Sequence, residues 1–155
     1  MTYDEARISI ERMLEVVRAK GFIATLEQPL APKARRRLDE GQRAKLDVET
    51  ITHGEAVEIT EHLVAGKFTL IDVYADWCGP CLLLGHELER LLLEREDVAL
   101  RKLDIVSWET PAAKQVTAEF GAEGIPYVRV YGPKGEFLGA VSGNRIEEVR
   151  ALIGD

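Results

Sequence analysis

Phe68-Thr69-Leu70-Ile71-Asp72-Val73-Tyr74, followed at once by Ala75-Asp76-Trp77-Cys78-Gly79-Pro80-Cys81, is the stretch that most narrows what this chain can fold into. A short, largely apolar run of this kind reads as a buried strand. Proline suits the first turn of a helix, where its missing N–H costs nothing. A strand therefore hands over to a helix, and both cysteines of the chain sit at that junction. A thiol at a helix start faces unpaired N–H groups and the positive end of the helix dipole. Both favour the thiolate, which is the nucleophile of disulfide exchange. Two cysteines at this spacing can close a small disulfide and open it again.

The rest of the composition narrows the reading. A chain of 155 residues with 46% apolar residues can bury a core without cross-links. Two cysteines are too few for a disulfide scaffold, which leaves catalysis or metal binding. Zinc wants four ligands. The remaining candidates, His53, His62 and His86, lack finger-like spacing. Residues 1–45 carry ten Lys and Arg against seven Asp and Glu, whereas residues 46–155 carry ten against twenty. An acidic body argues against nucleic acid as the main partner. No apolar stretch approaches the roughly 20 residues of a membrane span. The N-terminus lacks the apolar core of a signal peptide. Taken as written, the chain is expected in the cytoplasm; the alternative is an exported protein whose leader is not part of this chain.

Thr2 and Glu5 have capping-box spacing, and Ala6, Ile10, Met13, Leu14 and Val17 then recur at helical spacing up to Gly21. This helix either packs on the main domain or docks a partner. A short strand is expected at 22–26, broken by Pro29 and Pro32. Lys33, Arg35, Arg36, Arg37, Arg43 and Lys45 form a basic stretch. It is either a solvated linker or surface helix, or a contact for an acidic partner or an anionic membrane. From residue 46 the pattern becomes regular. Strands are expected at 48–52, 68–74, 98–103, 127–131 and 136–141. Helices are expected at 55–65, ended by Gly66, in the leucine-rich run after Cys81, at 111–120, and from an Asn144 cap to Ile153. The last two strands flank the turn Gly132-Pro133-Lys134-Gly135 and make a hairpin. This order predicts an α/β fold, a central mixed sheet flanked by helices, with an N-terminal extension at 1–45 and the main domain at 46–155.

Asp72-Val73-Tyr74-Ala75-Asp76-Trp77-Cys78-Gly79-Pro80-Cys81, with Gly124-Ile125-Pro126-Tyr127 about 45 residues on, resembles the thioredoxin family over residues 46–155. The resemblance implies a thioredoxin fold and a protein-disulfide reductase that needs no metal or bound organic cofactor. It implies disulfide-bearing protein substrates and an upstream thiol reductant as partners. Cys78 would be the attacking thiolate and Cys81 the buried resolving thiol. Asp72 sits in an apolar strand, where a carboxylate's pKa rises. In the family this acid accepts and returns the proton of the resolving cysteine. Lys102 falls where the family places a lysine that tunes the acid, or it is simply a surface lysine. Pro126 should be cis, with Ile125 offering backbone groups to an extended substrate. Trp77, Gly79, Pro80 and Gly143 would complete the substrate-binding surface. The Gly79-Pro80 interior resembles the reducing members of the family.

The chain also departs from that pattern. Leu82 replaces a basic residue, and His86, preceded by Gly85, replaces a helix-kinking proline. Leu82-Leu83-Leu84 would leave an apolar patch near the site, and Trp108 is either a core anchor or part of a binding face. Two other readings follow: a dedicated electron relay for one client, exported or membrane-associated, or a redox-independent module in which the fold, the N-terminal helix or the basic stretch recruits a partner, with docking through residues 1–45 as one route.

Overall fold

The computed structural model describes residues 15, 16 and 37–155. Apart from Glu15 and Val16, which are helical, the elements expected over 2–26 lie outside the described residues, as do Pro29, Pro32, Lys33, Arg35 and Arg36. Residues Arg37–Asp155 form one compact unit. No helix among the described residues is long and apolar enough to cross a membrane.

The unit begins with a single helical turn, α1 (Glu40–Arg43), closed by a capping box between Asp39 and Gln42. Arg43 of the basic stretch grips Glu89 through both its Nε and a terminal nitrogen at 3.0–3.1 Å. The strands follow as β1 (Val48–His53), β2 (Phe68–Tyr74), β3 (Val98–Asp104), β4 (Tyr127–Tyr131) and β5 (Phe137–Ser142). Helix α2 (Gly79–Glu94) lies between β2 and β3, α3 (Pro111–Phe120) between β3 and β4, and α4 (Ile146–Leu152) after β5. The sheet order is β1-β3-β2-β4-β5. β1 and β2 run parallel to β3. β4 runs antiparallel to β2, and β5 antiparallel to β4. The mixed sheet expected from the sequence is the one observed.

Strand β2 lies between β3 and β4 and is buried from Thr69 to Tyr74. Successive side chains of a strand face opposite sides, and β2 uses both. Leu70 joins Leu84, Leu88, Leu91 and Leu92 of α2 and Val149 of α4 in one core. Ile71 and Val73 join Ala112, Ala113 and Val116 of α3 in the other. Two apolar layers thus sandwich the sheet, and the C-terminal ends of β2 and β3 point to the junction that carries the cysteines.

Two expectations are corrected. The helix at 55–65 contracts to one 3-10 turn, Ile59–His62. Its backbone groups are taken by side chains from elsewhere. Gln115 donates to the Val57 carbonyl and accepts from the Val57 N–H at 2.8 and 3.0 Å. Thr69 Oγ1 accepts from the Val64 N–H at 3.0 Å. Asn144 does not cap α4: Arg145 holds the N-cap position and makes no side-chain cap. Glu147 and Glu148 in the first turn offset the loss by complementing the dipole.

Candidate active site

Cys78 is the N-cap of α2, and its Sγ accepts the Cys81 N–H at 3.2 Å. The helix start therefore aims a donor at the sulfur that the sequence marked as the nucleophile, with Gly79 and Pro80 exposed in the first turn. Cys78 and Cys81 are joined as a disulfide. Cys78 is the more accessible of the two, at 6% exposure against 2% for Cys81. Both pack with Tyr74 and Ile125.

The Ile125-Pro126 bond is cis. Among the described residues, the Ile125 N–H and C=O have no hydrogen-bond partner. The Gly143 N–H donates to the Pro126 carbonyl at 2.8 Å, which ties the end of the β5 loop to the cis turn. Gly143 has φ +85°, a backbone conformation that suits glycine. Gly121, Glu123, Gly124, Ile125, Pro126, Ser142 and Gly143 line a cavity of about 300 Å³ that adjoins the disulfide through Ile125. Trp77, next to Cys78 in the chain, is 58% exposed, and its indole N–H donates to the Val106 carbonyl at 2.7 Å.

Asp72 is fully buried, and neither carboxylate oxygen has a hydrogen-bond partner. Its pKa is pushed up to about 6, because burial disfavours the charged form more than the Lys102 charge favours it. It shares strand parity with Leu70 and Tyr74, so it lies on the α2 face of the sheet, between the leucine core and the cysteine cluster. Lys102 is its register partner on β3. The lysine is half-buried, with Nζ 4.1 Å from the centre of the Tyr74 ring. A Cβ at Gly85 would sit 3.9 Å from that Nζ. Gly85 thus leaves α2 without a side chain where the ammonium approaches. Lys102 thus stands opposite the acid on the neighbouring strand.

The departures also find their places. Helix α2 runs unbroken from Gly79 to Glu94 through Gly85 and His86. Burial and the nearby Arg37, Arg43 and Lys102 charges hold the His86 pKa below its ordinary value, against the opposing pull of Glu89. Leu84 is core, whereas Leu82 and Leu83 are exposed. Trp108 is also exposed, so it is not a core anchor. Sequence patterns do not single out Val106, whose carbonyl anchors Trp77, or Asp104, which accepts the Val106 N–H. The signal for Asp104 was the same as for Asp72: an acid within an apolar strand pattern.

The comparisons agree with this geometry. A model of the thioredoxin family matches residues 50–154. The thioredoxin of Mycoplasmoides gallisepticum is 31% identical over 71 residues, 46% of this chain and 66% of that protein. The chain thus spans just under two thirds of that relative. The thioredoxin of Mycobacterium tuberculosis is 36% identical over 93 residues, 56% of this chain and 80% of that protein. Among solved structures, the short form of spinach chloroplast thioredoxin f superposes with a TM-score of 0.55 at 23% identity, over 70% of this chain and 91% of that one. The last likeness concerns the fold alone.

Proposed function

The chain belongs to the thioredoxin family, and on that premise we propose that it is a thiol–disulfide oxidoreductase that works as a reductant of protein disulfides. The observation that carries this reading is the Cys78–Cys81 pair at the start of α2, beside the open Ile125 backbone. In this proposal residues 46–155 are the catalytic unit and 1–45 an extension.

In the reduced protein the Cys78 thiolate attacks one sulfur of a substrate disulfide. A Cys78–substrate bond forms, the substrate S–S bond breaks, and the other substrate sulfur leaves as a thiolate. The substrate strand lies across Ile125, pairing with its free N–H and C=O as a single added rung. Trp77 gives the substrate an apolar platform, and Gly79, Pro80, Pro126 and Gly143 border the groove. Cys81 then loses its proton and attacks Cys78 Sγ. The internal disulfide closes, and the second substrate thiolate departs. Two electrons have passed to the substrate, and an upstream thiol reductant must return them. Asp72, with its pKa near 6, is ionised at neutral pH and can take the Cys81 proton. Lys102 restrains the upward shift of that pKa.

Replacing Cys81 with serine removes the resolving thiol while leaving the attacking one. Cys81→Ser is expected to accumulate a covalent adduct with a protein disulfide substrate, visible on non-reducing gels and lost on adding dithiothreitol. Absence of any adduct, with Cys78 shown to be free, would overturn the assignment of roles.

A further inference from the structure

Trp77 is the most exposed large apolar side chain near Cys78 and is anchored by one polar contact, the bond to the Val106 carbonyl. That carbonyl is aimed by an unusual backbone. Val106 has φ +59°, the only positive φ at a non-glycine among the described residues. For a β-branched residue this is a costly conformation that survives only where its surroundings impose it. The Ser107 N–H closes a tight three-residue turn onto the Ile105 carbonyl at 2.6 Å.

The surroundings that impose the turn converge on Asp104. One carboxylate oxygen accepts the Val106 N–H at 2.8 Å, and the other meets His53 Nδ1 at 3.1 Å. The Asp104 carbonyl accepts the Gly54 N–H at 2.8 Å, and the side chain is buried. Thr110 Oγ1 lies 2.6 Å from the Ile105 carbonyl and 3.0 Å from that of Ser107, which pins both flanks of the turn. Ile105 itself hangs on the Tyr74 carbonyl at the end of β2, the strand that leads to Trp77.

We propose that Asp104 is a positioning residue: by holding Val106 in its left-handed turn, it aims the carbonyl that fixes the Trp77 indole beside Cys78, and so sets how tightly a protein substrate docks. The docking half of this inference rests on the reductase reading. The anchoring half does not.

The test has two readouts. The first is hydrogen exchange and chemical shift of the Trp77 indole N–H by NMR, the two tryptophan indoles being told apart by single Trp→Phe variants. In Asp104→Ala the Trp77 indole N–H is expected to exchange at least tenfold faster under conditions where the fold is intact. Asp104→Asn keeps an oxygen for the Val106 N–H and should stay close to the parent. Glycine adopts a left-handed backbone without help, so adding Val106→Gly to Asp104→Ala should restore most of the protection. A merely structural role for Asp104 would not be rescued in this way. Should Asp104→Ala not fold, Asp104→Glu shifts the oxygens by one methylene and is expected to loosen Trp77 likewise. The second readout is insulin reduction, where Asp104→Ala should raise KM about fivefold with little change in kcat. An unchanged Trp77 indole, or no rescue by glycine, would overturn the anchoring. A loosened indole with an unchanged KM would overturn the docking role. A parent without insulin reductase activity would defeat the reductase reading and the docking role with it, while the indole readout still decides the anchoring.

Discussion

Replacing Cys78 with serine is expected to abolish disulfide reduction, a loss on the order of 10³-fold or more. A serine hydroxyl is almost entirely un-ionised at neutral pH, and the helix start has no thiolate left to favour. The change is small in every other respect. Serine is nearly the size of cysteine and is a preferred N-cap, so its oxygen can accept the Cys81 N–H that Cys78 Sγ accepts now. The variant should therefore fold like the reduced parent, and the loss can be assigned to chemistry. Insulin reduction with dithiothreitol as the electron source is the assay, with circular dichroism as the control for folding. Substantial activity in Cys78→Ser would contradict the mechanism.

Asp72→Asn is expected to stabilise the protein at neutral pH while slowing it. The unfolded acid ionises near its ordinary value of 3.8, and the folded one near 6. Between those values the folded chain keeps a proton that the unfolded chain has released. The unfolded state then binds fewer protons, so stability falls as pH rises through that window. Below about pH 4 both states are protonated and the penalty is absent; above about pH 6 it is complete. At roughly 1.4 kcal/mol per pH unit, the full penalty is about 3 kcal/mol. Asparagine carries no charge and removes it, so urea melts at pH 7 should show a gain of up to about 3 kcal/mol that disappears near pH 4. The same change removes the acceptor for the Cys81 proton. Closure of the internal disulfide should slow by about a hundredfold at pH 7, the scale of a lost general base. Rapid-mixing measurements of mixed-disulfide decay would read this step. A gain in stability with unchanged resolution would leave Asp72 buried but idle. A loss of stability at pH 7 would contradict its isolation.

Where local pattern and tertiary packing agree, the sequence was enough. β2, with its apolar run bounded by Gly66 and Asp76, and α3, opened by Pro111 and ended by Gly121 in a left-handed conformation, have the observed bounds. The residues around the cysteines and the Ile125-Pro126 turn, which carry the family resemblance, lie together in the structure. What local reading could not supply were contacts made over long separations. Residues 55–65 have a helical pattern, yet Gln115, 58 residues from Val57, captures both backbone groups of Val57. The place of Lys102 opposite Asp72 follows from the parallel register of β2 and β3, which no local pattern contains. The left-handed turn at Val106 carries no sequence signal, since valine disfavours that conformation; it follows from Asp104, His53, Thr110 and Trp77 meeting in space.

The measurement that tests the central claim most directly is the reduction potential of the Cys78–Cys81 pair, by equilibration against glutathione or dithiothreitol buffers. A reductant of protein disulfides should fall near about −270 mV, the value of thioredoxin itself. A value toward about −120 mV would make the pair an electron acceptor and reverse the direction of the proposed reaction.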